Sequence, residues 1–142
     1  MIRNFKEKDL NDVAEIWLDT NIKAHHFIPS NYWRDNLELV KEMFLQAEIY
    51  VYEDDDRIQG FVGLDNNYIA GIFVSSEFQS KGIGKQLLDY VKTIRQELSL
   101  NVYKKNLRAV QFYKRENFQI LSESIDENTN ETEYTMIWKG KL

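Results

Sequence analysis

The chain has 142 residues, the usual size of one domain, and its 43% hydrophobic and 13% aromatic content argues against disorder. A net charge of −5 excludes the overall basic character of a nucleic-acid-binding protein, and no apolar run approaches the ~20 residues of a membrane span. The N-terminus lacks the apolar core of a signal peptide, and the absence of cysteine excludes disulfide bonds, thiolate metal sites and a cysteine acyl-enzyme. We therefore expect residues 1–142 to form a single cytoplasmic domain that holds no metal.

Hydrophobic spacing predicts a strand, two helices and three further strands in the first half of the chain. The first strand covers residues 2–5, and apolar residues recur at helical spacing over residues 9–23 and 30–47. Pro29 stands immediately before the second helix, where a helix start tolerates proline. Polar turns at residues 54–56 and 66–67 separate three β-rich runs, which cover residues 49–52, 58–64 and 68–74.

The second half of the chain continues with alternating helices and strands. A polar loop over residues 75–81 leads into a helix predicted from Gly82 to Leu98, and a short strand follows over residues 100–103. A helix over residues 107–116 precedes a final hairpin, whose strands cover residues 118–124 and 133–138. The order β-α-α-β-β-β-α-β-α-β-β predicts an α/β or α+β fold, in which helices cover the faces of a sheet.

The strand, loop and helix around Gly82 have the features of an anion-binding site. The first turn of a helix has backbone N–H groups without internal partners, and the helix dipole adds positive character there. Gly82 and Gly84 allow a phosphate to approach the backbone closely, and Lys81 and Lys85 add charge. A pyrophosphate is the ligand that this pattern favours, although a helix start that is merely flexible has the same glycines.

Two common nucleotide-binding motifs are absent from this segment. A dinucleotide fingerprint requires a third glycine where this chain has Leu87. A Walker loop requires glycine in place of Gln79 and serine or threonine in place of Gln86. The ligand is therefore expected to be a different pyrophosphate compound.

Two sequence motifs together resemble the GNAT family of N-acetyltransferases. The run Gln79-Ser80-Lys81-Gly82-Ile83-Gly84, after a strand that ends in Val74, is similar to the acetyl-CoA signature of that family. The run Asn106-Leu107-Arg108-Ala109-Val110-Gln111-Phe112-Tyr113, followed by Phe118, is similar to a second family motif. Asn117 replaces the glycine that usually ends the last helix, and asparagine is the usual alternative at a left-handed cap.

The resemblance implies a fold, a cofactor and roles for particular residues. It implies a mixed, mostly antiparallel sheet flanked by helices, with acetyl-CoA as the co-substrate. Backbone groups at the end of the fourth strand would pair with the pantetheine arm, the loop amides would hold the phosphates, and Asn106 would bind pantetheine through its amide. The implied cofactor-binding residues are Phe73, Val74, Gln79, Ser80, Lys81, Gly82, Ile83, Gly84, Lys85 and Asn106.

Tyr113 occupies the position of the frequent general acid of the family, where a hydroxyl donates a proton to the departing thiolate. From periodicity alone, a packed helix aromatic beside Phe112 is the better explanation of Tyr113, and it is the surrounding motif that favours the catalytic role. The chain has neither a cysteine nor a Gly-x-Ser-x-Gly motif, so we expect direct attack of an amine on acetyl-CoA in a ternary complex.

The acetyl acceptor and the general base are less defined by the sequence. The segment that joins the first two helices lines the acceptor site in the family. It contains His25, His26 and Phe27, and Phe27 could form an aromatic wall there with Trp33 of the second helix. The candidate substrate residues are His25, Phe27 and Trp33. A histidine of this segment could act as base, as could Asp65, Glu77 or a water molecule. The acceptor is expected to be a primary amine of a small molecule or a protein, and a homodimer is a possible assembly. The alternative is a catalytically silent CoA-binding sensor or partner module.

Overall fold

The computed structural model describes residues 1–140, and the order of its elements is the predicted order. Within those residues there are four α-helices: α1 (Leu10–Ala24), α2 (Ser30–Phe44), α3 (Ile83–Ile94) and α4 (Leu107–Arg115). The strands are β1 (Ile2–Asn4), β2 (Glu48–Asp54), β3 (Arg57–Asp65), β4 (Tyr68–Val74), β5 (Glu97–Tyr103), β6 (Gln119–Asp126) and β7 (Glu131–Lys139). No helix among the described residues combines the length and apolar character that crossing a membrane requires.

The seven strands form one sheet in the order β1-β2-β3-β4-β5-β7-β6. Neighbouring strands are antiparallel except β4 and β5, which are parallel. The predicted α/β (α+β) class with a mixed, mostly antiparallel sheet is therefore confirmed.

The parallel strands β4 and β5 pair only at their beginnings. Tyr68 pairs with Ser99 and Ile69 pairs with Leu100, after which the strands separate. On β3, Gly63 pairs with Gly71 and the next residue, Leu64, pairs with Ile69. β4 therefore has one extra residue, a bulge, at the point where its pairing with β5 ends. Because a bulge bends a strand away from its partner, β4 beyond Ile69 lacks a strand partner on the β5 side within residues 1–140. The sheet opens there into a V-shaped gap.

Helices cover the sheet on both faces. On one face α3 and α4 bury a large apolar cluster with the central strands, including Leu87, Leu88 and Val91 of α3. On the other face α1 packs Val13 and Ile16 against β2 and β3. Tyr50, Tyr52 and Trp138 pack partly buried against the α3–α4 cluster.

The helix that the sequence predicts from Gly82 to Leu98 is longer than α3 in the structure. α3 ends at Ile94, and Arg95 is extended, with its guanidinium bonded to the Asn66 carbonyl oxygen and the Glu48 carboxylate. Leu98 belongs to β5, where it pairs with Trp138. The spacing of Leu98 from Ile94 fits a helix. Leu98 also fits the alternation of buried residues along β5, together with Leu100 and Val102, and the structure places it in that strand.

Asn117 takes the left-handed conformation that its place in the sequence predicts. Its φ is 73°, and the next residue, Phe118, donates its backbone N–H to the carbonyl oxygen of Tyr113 at 2.9 Å. Asparagine tolerates this conformation, so the chain can turn sharply from α4 into β6 without glycine.

Candidate active site

A cavity of about 780 Å³ lies beside the gap between β4 and β5. Its walls come from the end of α1, the end of β4, the loop that follows β4, the beginning of α3, and α4 along its length. Its lining includes Thr20, Asn21, Lys23, Ala24, His25, Ile72, Phe73, Val74, Ser76, Phe78, Gln79, Ser80, Gly82, Ile83, Gly84, Lys85, Lys105, Asn106, Leu107, Arg108, Ala109, Phe112, Tyr113 and Arg115.

The start of α3 presents unpaired backbone donors to this cavity. Gly82 precedes the helix with φ 82°, a conformation that glycine adopts without strain, and no side chain caps the first turn. The first helical hydrogen bond is from the Gln86 N–H to the Gly82 carbonyl oxygen. The preceding N–H groups of Ile83, Gly84 and Lys85 are therefore left for a ligand or water, as at any uncapped helix start. The uncapped helix start on which the predicted anion site depends is therefore present in α3.

Hydrogen bonds between side chains connect the end of β4, the loop and α4. Gln79 Nε2 donates to the carbonyl oxygen of Val74 at 3.1 Å. Arg108 donates from Nη1 to Gln79 Oε1 at 3.1 Å and from Nη2 to Ser80 Oγ at 3.3 Å. Arg108 thus places a further cation at the loop. It hydrogen-bonds Gln79, whose side chain in turn hydrogen-bonds Val74, the last residue of β4.

Asn106 caps the beginning of α4. Its Oδ1 accepts a hydrogen bond from the backbone N–H of Ala109 at 3.3 Å. Its Nδ2 lies 3.2 Å from Nε2 of His25, which belongs to the segment between α1 and α2. Asn106 therefore links the two sides of the cavity in addition to lining it.

Tyr113 lies deep in the cavity wall, with only 8% of its surface exposed. Its ring contacts Phe112 and Phe118 at centroid distances of 5.2 and 5.5 Å. No side chain or backbone group within residues 1–140 hydrogen-bonds its hydroxyl. Burial raises the pKa of the Tyr113 phenol well above its ordinary value, with a smaller contribution from Tyr68. The hydroxyl is therefore protonated at physiological pH.

His25 lies in an aromatic cluster formed with Phe27, Trp33 and Tyr103. Its ring stacks on Trp33 at 5.3 Å and meets Tyr103 and Phe27 edge-on at 5.1 and 5.6 Å. Burial lowers the pKa of His25 to about 4. A neutral imidazole with so low a pKa and an occupied Nε2 is a weak base, so we do not assign it the role of general base.

Two carboxylates lie on the sheet face opposite α3 and α4, beyond the aromatic cluster. Tyr103 donates its hydroxyl to Asp126 Oδ2 at 2.6 Å. Glu133 is half-buried and pairs across the sheet with Tyr103. Burial and then the charge of Asp126 raise the pKa of Glu133, and Glu133 in turn contributes to the raised pKa of Tyr68. These contacts place two acidic and two phenolic groups on one surface.

The structure brings most of the predicted site residues to one cavity. Lys81, Phe27 and Trp33 do not line it. The ammonium of Lys81 lies 5.6 Å from the ring centroid of Phe78. Phe27 and Trp33 contact His25, and the Phe27 ring also lies 5.4 Å from the ammonium of Lys105, another cavity residue. The predicted residues that line the cavity are Phe73, Val74, Gln79, Ser80, Gly82, Ile83, Gly84, Lys85, Asn106, Tyr113 and His25.

Sequence reasoning missed the residues of α1 and the arginines of α4. Thr20 and Asn21 are buried polar residues near the end of α1, yet both side chains bond carbonyl oxygens of their own helix. Nothing in their spacing distinguishes them from ordinary helix residues. Arg108 had a stronger signal, because it lies inside the second motif, two residues after Asn106.

Comparison with known proteins identifies the family. Residues 46–120 match the acetyltransferase (GNAT) domain. The chain is 35% identical over 140 residues to the peptidyl-lysine N-acetyltransferase YiaC of Escherichia coli (strain K12), covering 97% of this chain and 96% of that protein. The chain belongs to the GNAT family. It is an acetyl-CoA-dependent acetyltransferase.

Other relatives extend the similarity to the GNAT fold as a whole. The peptidyl-lysine N-acetyltransferase YjaB of Salmonella typhimurium is 28% identical over 124 residues, covering 87% of this chain and 86% of that protein. The solution structure of apo-form YjaB from Escherichia coli superposes with a TM-score of 0.87 at 23% identity, over 99% and 98% of the two chains. PaiA N-acetyltransferase from Thermoplasma acidophilum, in complex with coenzyme A, superposes with a TM-score of 0.84 at 20% identity, over 98% of each chain.

The cavity residues have the chemistry that acetyl-CoA requires. The free N–H groups at the α3 start and the charge of Arg108 suit a pyrophosphate. Lys85 also lines the cavity, with its ammonium paired to Asp89 and Glu116. The unpaired edge of β4 beyond Ile69 suits a chain of amides such as pantetheine, which can pair with a strand edge. Acetyl-CoA therefore fits the donors present on both walls.

Proposed function

We propose that the protein transfers the acetyl group of acetyl-CoA to the side-chain amine of lysine in proteins or peptides. The whole chain, residues 1–142, acts as one catalytic domain in this proposal. The names of the relatives YiaC and YjaB supply the acceptor class, and the acidic surface around Asp126 and Glu133 supports it.

Acetyl-CoA is proposed to lie across the cavity from α3 to Tyr113. The pyrophosphate rests on the backbone N–H groups of residues 79–85, with Lys85 and Arg108 at its sides. The pantetheine arm follows the unpaired edge of β4 at Phe73 and Val74 and accepts a hydrogen bond from Asn106. The thioester then reaches the gap between β4 and β5, beside the Tyr113 hydroxyl.

Tyr113 is the proposed general acid, and its buried hydroxyl is the observation that carries the mechanism. Bound acetyl-CoA supplies the acetyl group as a thioester. The hydroxyl has no partner among the described residues, and like any phenol it carries its proton at neutral pH. We propose that it gives its proton to the departing sulfur as the C–S bond breaks, and that the proton lost by the newly acetylated nitrogen returns the phenolate to the phenol through water. The ring packing against Phe112 and Phe118 fixes its position.

The acceptor is proposed to enter on the sheet face that carries Asp126 and Glu133. Asp126 already accepts the Tyr103 hydroxyl and the backbone N–H of Asn128. Glu133 has no cationic or hydrogen-bonding partner within residues 1–140, so its carboxylate is free to pair with an incoming ammonium group.

A peptide panel tests the acceptor class. The purified protein is incubated with acetyl-CoA and peptides of matched composition that carry a lysine with a blocked N-terminus, an arginine in its place, or a free N-terminus without lysine. Thiol release and the mass of each peptide are measured, with spermidine as a small amine. We expect acetylation of the lysine peptides. Acetylation of the free N-terminus or spermidine alone would contradict the acceptor, and acetyl-CoA binding without any transfer would favour the silent module.

The role of Glu133 is tested with Glu133→Gln against a matched control. A half-exposed ion pair contributes about 1 kcal/mol, so the KM for a lysine peptide should rise about fivefold while the KM for acetyl-CoA stays constant. Glu127→Gln makes the same charge change in the exposed turn of the same hairpin and should leave both constants alone. Equal peptide KM values in the two variants would remove Glu133 from the acceptor site.

A further inference from the structure

The side-chain amide of Asn106 is fixed on two of its sides by this chain. An asparagine amide offers an oxygen acceptor and two N–H donors. Its Oδ1 accepts the Ala109 N–H at 3.3 Å, and this contact determines which end of the amide is oxygen. One N–H of Nδ2 is then directed at His25 Nε2, 3.2 Å away. The second N–H remains, on a residue that lines the cavity.

The contact with Asn106 also fixes the tautomer of His25. Because Nδ2 can only donate, Nε2 of His25 must be the acceptor, and the proton of the neutral ring lies on Nδ1. Nδ1 is buried and makes no well-aligned hydrogen bond within residues 1–140, although the Asn21 backbone interacts with the ring and opposes the lowering of its pKa. An unpaired buried N–H is costly, so the ring orientation is maintained by other contacts.

Those other contacts come from the aromatic cluster and from the end of α1. The ring stacks on Trp33, which is itself buried, and Tyr103 and Phe27 meet its edges. The backbone N–H of His25 bonds the Asn21 carbonyl oxygen at 3.0 Å, in the last turn of α1. A partial rotation of the imidazole would break the stacking, and a half-turn, which preserves the stacking, would replace Nε2 beside Asn106 by a C–H group and lose that hydrogen bond. Nε2 therefore stays directed at Asn106.

We infer that His25 is a positioning residue for acetyl-CoA, whose Nε2 holds the Asn106 amide so that its remaining N–H faces the pantetheine arm. The inference rests on the proposed function, because it requires that Asn106 bind pantetheine. His25 acts as a hydrogen-bond acceptor for Asn106, whereas its residue type suggests a general base. It also joins the acceptor-side segment to the cofactor site through one hydrogen bond.

Two substitutions separate the acceptor atom of His25 from its ring. His25→Phe keeps an aromatic ring for Trp33 to stack on but removes the acceptor. His25→Gln loses the ring but places an amide oxygen near the position of Nε2. Asn106→Ser retains a residue that caps helices well and removes the amide donors.

Calorimetric titration with acetyl-CoA, in the absence of any acceptor, measures the effect on binding alone. His25→Phe should weaken the Kd about fivefold, since one positioned hydrogen bond is lost, and His25→Gln should restore most of the affinity. Combining His25→Phe with Asn106→Ser should bind no more weakly than Asn106→Ser alone, because both changes remove the same interaction. Thermal unfolding of each variant checks that it is folded.

Nitrogen NMR of the free protein provides a readout that packing alone would not determine. The His25 ring should show a protonated Nδ1 and an unprotonated Nε2 at neutral pH. A protonated Nε2 would overturn the inference. So would additive losses in the double variant, or a folded His25→Phe protein with wild-type affinity. If the wild-type protein fails to bind acetyl-CoA, the proposed function fails with it; if the wild type binds and only these contrasts are absent, the positioning role alone fails.

Discussion

Replacing Tyr113 by phenylalanine removes a single oxygen atom from the wall of the cavity. The ring contacts with Phe112 and Phe118, at 5.2 and 5.5 Å, remain available to phenylalanine. The lost hydroxyl has no hydrogen-bond partner within residues 1–140, so no buried group is left unsatisfied. We expect the free energy of unfolding to stay within about 1 kcal/mol of the wild-type value.

The catalytic effect of the same substitution should be large. A positioned general acid contributes about 100- to 10,000-fold to a rate. A free thiol has a pKa of about 8.5, so its thiolate leaves fairly readily without a proton, and the loss belongs near the lower end of that range. We therefore expect kcat for Tyr113→Phe to fall about 100-fold, with little change in the Kd for acetyl-CoA.

A distant tyrosine provides the matched control. Tyr50 lies on β2 outside the cavity lining, and its hydroxyl donates to the Glu48 carboxylate. Tyr50→Phe should lower the unfolding free energy by about 1–2 kcal/mol and leave kcat unchanged. Steady-state thiol release and chemical denaturation measure both quantities in each protein. If Tyr113→Phe turns over as fast as the wild type, the hydroxyl is not the acid.

Three further predictions concern the loop, α4 and pH. Gly82→Ala must hold alanine at φ 82°, which should cost about 1–2 kcal/mol of stability and weaken acetyl-CoA binding, whereas Gly84→Ala has room for its Cβ and should be as stable as the wild type in thermal unfolding. Arg108→Met should raise the KM for acetyl-CoA about fivefold through loss of its two loop contacts, while Lys114→Met, on the exposed surface of α4, should not; equal KM values would contradict the role of Arg108. His25 binds a proton near pH 6.5 in the unfolded chain but only near pH 4 in the folded protein, because burial lowers its pKa. About 2–3 kcal/mol of the unfolding free energy should therefore be lost as the pH falls from 6.5 to 4. His25→Gln should show a correspondingly smaller decline in denaturation experiments.

Local sequence signals predicted the parts of the site that depend on neighbouring residues. The uncapped start of α3 follows from Gly82 and the free amides of any helix N-terminus. Asn106 and Tyr113 were proposed as site residues through a motif that covers α4 and its capping residue. The left-handed conformation of Asn117 was expected because asparagine tolerates it. Each of these features needs only a few consecutive residues.

The parts that the sequence could not predict depend on contacts between distant segments. Leu98 fits a helix and a strand equally well by spacing, and only its pairing with Trp138 in the sheet decides between them. The bond between His25 and Asn106 joins residues 81 positions apart. The acidic surface likewise requires Glu133 to meet residues of β5, whose register is fixed by the whole sheet.

A crystal structure of the protein with acetyl-CoA tests the central claim most directly. We predict that the pyrophosphate accepts hydrogen bonds from the backbone N–H groups at the start of α3 and that the thioester sulfur lies within hydrogen-bonding reach of the Tyr113 hydroxyl. A pyrophosphate bound elsewhere, or a sulfur directed away from Tyr113, would contradict the account of how this chain holds its co-substrate and releases the thiol.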